Sequence, residues 1–517
     1  MNFLLALYVI LSRICYYLVY PFLLRSSENQ RRSVPPSPDK LLQVSASTLS
    51  ELIRRKKITS EELVRAYIRR IKEVNHLINA VVEERFGKAL KEAKYVDEYL
   101  RTTSLTKTEL ETIKPLLGVP VTIKESCMLS GMSYAVGTVV RRGIKADSDG
   151  EVVARIKMSG AIPLLVSTTP ELCSGYSCVN NITGTTCNPY DVTRNSGGSS
   201  GGEAALLGAG ASIIGVGSDL AGSLRFPAFC CGVFAHKPTA RVVPLKGHFP
   251  LPSDKMISDY LTIGPMTRYA EDLNLLLSIM CGKQAIDLGL HEVVDLSQIR
   301  VYHMEEAPPS IINPPVHFEI KKAIRESVAF LEKNCNTKTM QDCPFQGLKN
   351  SFEFSMSAFC QLEGVPNYFK GENKNILVEM FKSMMGQSKF SFGYLFTLCS
   401  LDMRDFICSE KYSKMVEELK VNMMQELRDN GVFIYPTFPT TALKHGEFYF
   451  KAAGIGYLTP FNLMGLPATT VPCGKTSDGL PIGLQVIASP NQDRLCLAVA
   501  EELERCFGGW TPSNDPK

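Results

Sequence analysis

The chain has 517 residues, 45% of them hydrophobic and 21% charged, with a formal net charge of +4. That composition can build a large core, and so small a net charge excludes the basic stripe or patch of a nucleic-acid binder. The 16 cysteines are scattered without a Cys-x-x-Cys pair and the 7 histidines lack metal-ligand spacing, so reduced buried thiols are expected, with no disulfide framework, no metal and no cofactor.

The N-terminal run FLLALYVILSRICYYLVYPFLL, residues 3–24, is almost wholly apolar. As a helix it would be about 33 Å long, enough to cross a bilayer core. Arg13 in its middle would cost a few kcal/mol there. A signal peptide would need a basic start and a small-residue cleavage site, and neither is clear. The expectation is a membrane anchor over 1–24, with a peripheral or buried helix as the alternative. Arg25, Arg31 and Arg32 follow the run, so the positive-inside rule places the body in the cytosol. Residues 25–40 are polar with three prolines and read as a linker.

One globular unit is expected from 41 to 517. Thr59-Ser-Glu-Glu62 fits a capping box, followed by Leu63, Val64, Tyr67, Ile68 and Ile71 at helical spacing. A second helix is predicted over 86–101. A strand over 117–124 carries Lys124 at its end. A helix over 149–159 precedes a strand from Ile162 to Val166. The glycine-serine loop 197–202 opens a further helix, and 212–219 reads as a buried strand. This alternation predicts an α/β sheet covered by helices on both faces. Residues 290–430 form an elaborated middle, with helices over 317–333 and 410–429 and a Phe/Met-rich stretch from 352 to 408. Strand patterns return at 431–439, 461–474 and 479–488, and a helix spans 493–506.

Two stretches carry chemistry. NSGGSSGGE is neither a dinucleotide fingerprint nor a P-loop. It contains Gly197-x-Ser199-x-Gly201, which fits a nucleophile elbow, with His236, His248 and His445 available as bases. It also fits a plain flexible turn. In GVGSDLAGSLRFP a strand ends at Asp219 and a small-residue turn delivers Ser223 to a helix start. Amide groups at such a turn can hold an oxyanion, which makes Ser223 a candidate nucleophile; the alternative is a simple N-cap. Lys124 would either reach to solvent or, buried, act as base toward a serine, because desolvation disfavours an ammonium.

Together GVPVTIKE, NSGGSSGGEAALLGAG, GVGSDLAGSLRFPAFCCGVFAHKPT and FNLMGLPATTVPCGKTSDGLPIGLQVIA resemble the amidase signature family of serine hydrolases. The resemblance covers nearly all of residues 41–508 and implies a large mixed β-sheet. It implies that Ser223 attacks the amide carbonyl, Ser199 relays the proton across a cis Gly198–Ser199 peptide, and Lys124 is the base. It further implies that Ser200 helps fix the lysine, that the amides of Leu220, Ala221, Gly222 and Ser223 form the oxyanion hole, and that Cys173 lies at a substrate-contacting backbone position. The N-terminal segment narrows the resemblance to membrane-bound members that hydrolyse fatty-acid primary amides and N-acylethanolamines. N-acyl amino acids or other small amides and esters, and a non-catalytic tethered role, are the alternatives. The implied partners are a lipid amide, a membrane and a second copy of the chain. Two departures stand out: Ala221 where the family usually has glycine, which demands a negative φ, and Thr168 where it often has asparagine.

Overall fold

The computed structural model describes residues 2–27, 32–251, 257–372, 374–402 and 410–513. Its apolar runs become eleven strands of one sheet: β1 Val81–Glu84, β2 Pro120–Lys124, β3 Ile162–Ser167, β4 Ile214–Asp219, β5 Phe234–Lys237, β6 Thr262–Thr267, β7 Arg300–His303, β8 Lys338–Thr339, β9 Gly431–Pro436, β10 Ala468–Lys475 and β11 Pro481–Ala488. Their order is β1-β3-β2-β4-β6-β5-β10-β11-β9-β7-β8. The pairs β2/β3, β2/β4, β9/β7 and β7/β8 are parallel and the others antiparallel, so the sheet is mixed. Every residue of β2, β3, β4, β9 and β11 is buried. A strand buried along its whole length is covered on both faces, which is what the expected helical layers require.

Local chemistry sets the helix ends. Thr59 and Glu62 form the reciprocal capping box and the helix runs Ser60–Ile78. Helices Phe86–Thr102, Glu151–Met158, Gly201–Gly208, Phe318–Cys335, Glu410–Leu427 and Asp493–Phe507 lie within a few residues of their predicted positions. The elaborated middle region also contributes strands. Its residues 300–303 and 338–339 add β7 and β8 to the sheet's edge, and the first part of the 461–474 strand prediction falls on the short helix Pro460–Leu463.

Asn2–Ser27 is helical, but among the described residues no helix is long and apolar enough to cross a membrane. Polar side chains of the helix bond to the body. Tyr8 Oη donates to the Tyr449 carbonyl at 2.8 Å, Tyr16 Oη to Glu447 Oε1 at 2.8 Å, and Arg13 Nη2 to the Ile312 carbonyl at 3.3 Å. Arg13 therefore has a protein partner. Leu7, Ile10, Leu11, Ile14, Tyr17 and Leu18, at helical spacing, stay exposed. The described part of the expected linker is held along the body as well. Val34 is buried, its amide donates to the Pro189 carbonyl at 2.9 Å, and Arg70 Nη2 donates to the Pro35 carbonyl at 2.7 Å.

Candidate active site

Parallel neighbours β2 and β4 end side by side, Lys124 closing one and Ser218-Asp219 the other. The carboxyl ends of parallel strands are the usual place for a site in an α/β sheet. Lys124 is fully buried, and its Nζ donates to Ser199 Oγ at 2.7 Å and to Ser218 Oγ at 3.0 Å. The Gly198–Ser199 peptide is cis. The Ser200 amide donates to the Ser223 carbonyl at 3.2 Å, which seats the glycine-serine loop beside the Asp219–Ser223 turn. Gly197 packs against the helix Arg225–Cys230 that follows this turn, since a Cβ there would lie 2.4 Å from Pro227 Cα. Lys124, Ser199 and Ser200 are buried, whereas Ser223 is half-buried and open to an incoming molecule.

The N-cap reading of Ser223 does not hold: the helix Arg225–Cys230 is entered from Leu224, without a side-chain cap. The turn is instead held from Asp219. Its carboxylate accepts from the Gly222 amide at 2.5 Å and the Leu224 amide at 3.1 Å, from Arg225 Nε at 3.1 Å and from Asn462 Nδ2 at 2.8 Å. Arg225 also reaches the Leu458 carbonyl, Gln485 Oε1 and Asn462 Oδ1. Burial alone would raise the Asp219 carboxyl, but the Arg225 charge and these donors hold it down at about 2. Both members of the pair are 0% exposed, so removing one would leave the other charge buried and alone, at a cost of about 3–5 kcal/mol.

This network corrects one expectation. The Gly222 amide is committed to Asp219 and is not free for an oxyanion. Among the described residues the amides of Leu220, Ala221 and Ser223 have no acceptor. Ala221 is absent from the residues with positive φ, so alanine is tolerated there; Gly222 takes φ +110°, and a Cβ on it would lie 2.7 Å from Leu458 Cδ1. A second correction concerns Ser200. Its hydroxyl bonds to the backbone of Ser218 at 3.3 Å, and the side chain that contacts the lysine is Ser218.

Cys173 sits in the turn Glu171–Cys173, with Leu172 at φ 52° and Cys173 at φ 58°. The same loop continues to Tyr176, whose Oη donates to the Ala221 carbonyl at 2.6 Å, and to Gly175, whose carbonyl oxygen would be 2.6 Å from a Cβ on Gly198. The loop thus touches both serine-bearing elements. Thr168 is buried; its hydroxyl pairs with Thr186 Oγ1 at 2.6 Å and its carbonyl accepts from the Gly202 amide at 3.2 Å. The contact to the glycine-serine segment is thus made by the backbone of Thr168, and its side chain is taken up by Thr186.

No histidine hydrogen-bonds to Ser199 or Ser223 among the described residues. His236 is taken up by Thr469 Oγ1 at 2.7 Å and Asp493 Oδ1 at 3.0 Å, His445 by the Val192 carbonyl at 3.1 Å, and His248 by Ser218 Oγ at 2.9 Å. The Ser-His-Asp alternative thus lacks its base. Sequence reading missed Ser218, Tyr176, Asp219, Arg225 and Asn462 as parts of the site. The signal for the pair was present, since Asp219 and Arg225 are opposite charges on either side of a small-residue turn inside an otherwise apolar stretch.

Glu203 lies one layer below the lysine. Its Oε2 accepts from Thr122 Oγ1 at 2.6 Å, on the same strand as Lys124. Burial pushes its carboxyl up to about 7, against the Ser167 and Thr122 hydroxyls. Between the ordinary carboxyl range and pH 7 the unfolded chain is ionised here while the folded one keeps its proton. Glu203 therefore withdraws stability as pH rises from about 4.5 to 7, and no more above that. The expected result is that Glu203→Gln, measured by thermal melting, gains stability over wild type at pH 8 and little at pH 5. An equal gain at both pH values would contradict this.

Residues 62–497 match the family model described as Amidase. Fatty-acid amide hydrolase 2-A of Danio rerio is 40% identical over 490 residues, covering 92% of this chain and 91% of that protein. Fatty-acid amide hydrolase 2 of Homo sapiens is 39% identical over 487 residues, with coverage of 92% and 91%. A solved fatty acid amide hydrolase structure superposes with a TM-score of 0.72 at 22% identity, covering 92% of this chain and 87% of that one. At that identity the superposition speaks for the fold.

Proposed function

The chain belongs to the amidase family, and from that premise we propose that it hydrolyses fatty-acid amides to fatty acid and amine through an acyl-enzyme on Ser223. The observation that carries this reading is the 2.7 Å contact from buried Lys124 to Ser199, in a loop bonded to the turn that presents half-buried Ser223. Neutral Lys124 takes the Ser199 proton as Ser199 takes that of Ser223, and Ser223 Oγ adds to the amide carbonyl. The oxyanion is held by the amides of Leu220, Ala221 and Ser223, fixed in advance by the Asp219–Arg225 network. The proton returns along the same chain to the leaving amine, and water then cleaves the ester by the reverse relay. Cys173 would border the acyl carbonyl from the loop whose Tyr176 reaches the Ala221 carbonyl.

The substrate class rests on the two relatives named above and on the apolar surfaces. In addition to the outward stripe of the N-terminal helix, Leu377, Val378, Phe381, Met384 and Met385 are exposed on and just beyond the helix Ile376–Met384. The two lie along one packed path, because Tyr449 accepts from Tyr8 and its ring meets Phe392 at 4.7 Å and Phe396 at 5.3 Å on the helix Phe392–Asp402, which packs on Ile376–Met384. An apolar stripe lying on the body suits contact with a lipid surface and delivery of an acyl chain from it.

The test compares oleamide, N-acylethanolamines, N-acyl amino acids and short-chain amides, each in detergent and, for the lipids, in phosphatidylcholine vesicles. Oleamide and N-acylethanolamines are expected to be cleaved fastest. Leu11→Ser combined with Ile14→Ser is expected to slow only the vesicle-borne reaction. Preference for short amides would overturn the substrate assignment, and equal slowing in detergent would overturn the lipid-contact role.

A further inference from the structure

Ser218 and His248 have no part in the relay above, yet both are connected to its base. Lys124 Nζ donates to Ser218 Oγ at 3.0 Å. Ser218 Oγ lies 2.9 Å from His248 Nε2, and His248 Nδ1 lies 2.9 Å from the Pro250 carbonyl oxygen. A carbonyl only accepts, so Nδ1 carries the ring proton. Burial pushes the His248 imidazole down to about 3; the ring is neutral at working pH and its Nε2 is an acceptor. Ser218 has one hydroxyl proton, and Nε2 takes it. Toward Lys124, Ser218 can then offer only lone pairs. Both side chains are buried, so water does not compete for these positions.

Resting on the proposed role of Lys124 as base, we infer that His248 is a positioning residue that aims the lysine's lone pair at Ser199. A neutral amine has two N–H groups and one lone pair. With Ser218 locked as an acceptor, an N–H of Lys124 must turn to it, and the lone pair is left for the Ser199 hydroxyl 2.7 Å away. Without His248, the Ser218 hydroxyl is free to rotate and donate to that same lone pair, in competition with Ser199. The cost of that competition is set by one neutral hydrogen bond, about ten-fold in rate.

The test measures the rate at which a fluorophosphonate labels Ser223, and kcat on oleamide, in wild type, His248→Leu, His248→Gln, His248→Asn, Ser218→Ala and the His248→Leu/Ser218→Ala double variant, with thermal melting as a fold control. His248→Leu is expected to slow both rates about ten-fold. His248→Gln is expected to recover most of the loss, because its carbonyl can accept from Ser218 while its NH2 donates to Pro250. The double variant is expected to be no slower than Ser218→Ala, since His248 acts only through that hydroxyl. Wild-type rates in His248→Leu, or an undiminished ten-fold loss in the Ser218→Ala background, would overturn the inference. Should His248→Leu not fold, glutamine and the shorter asparagine decide: equal rates for the two overturn it, and a faster glutamine supports it. If wild type itself is not labelled at Ser223, the parent reading fails instead.

Discussion

Replacing Ser223 by alanine is expected to lower kcat on oleamide by about 10⁴-fold or more while leaving the melting temperature nearly unchanged. The two halves follow from different observations. The rate falls because the acyl-enzyme has nowhere else to form: Ser199 and Ser200 are buried, and of the three only Ser223 is open to an incoming carbonyl. Residues that act as one unit lose nearly all of their joint contribution when the nucleophile is removed. Stability is spared because, among the described residues, the Ser223 hydroxyl makes no hydrogen bond, and the turn is held by Asp219, Arg225 and Asn462 through other groups. A residual rate within ten-fold of wild type, in folded protein, would remove Ser223 from the mechanism.

Substituting Lys124 has the second-largest expected effect. Lys124→Met keeps most of the side chain's volume and removes the amine, so the loss reports on proton transfer rather than on a cavity. General-base catalysis is worth about 10²–10⁴-fold, and a loss of kcat in that range is expected. The control is His236→Ala. It leaves the Asp493 carboxylate, which also accepts from the Thr239 amide at 2.8 Å, without its imidazole partner. That change should lower stability and leave kcat of the folded fraction close to wild type. The reverse result, a silent Lys124→Met and a dead His236→Ala, is what a Ser-His-Asp hydrolase would give.

Much of this site was legible in the amino-acid order. Lys124 closes a β-branched strand, Ser199 lies in a run that only glycine could fold, and Ser223 follows a turn of small residues; each signal is local. Local signals also located the capping box at Thr59 and Glu62 and the strands that bear the site. What stayed hidden depends on contacts distant in sequence. Ser218 reaches Lys124 only because β2 and β4 are parallel neighbours. Asn462 and Gln485 join Arg225 across more than 230 residues. The Gly222 amide was expected to be free because nothing in DLAGS says that the aspartate side chain folds back upon it. The contacts of the N-terminal run were hidden for a related reason: its hydropathy does not tell that Tyr8, Arg13 and Tyr16 bond to a surface assembled from residues 312 and 447–449.

Mapping the fluorophosphonate adduct by peptide mass spectrometry tests the central claim most directly. With wild-type protein the phosphonyl group is expected on the peptide carrying Ser223, on that residue alone, and at a rate that falls about 10²-fold or more in Lys124→Met. An adduct on Ser199, or labelling of Ser223 that proceeds equally fast without the Lys124 amine, would contradict the account.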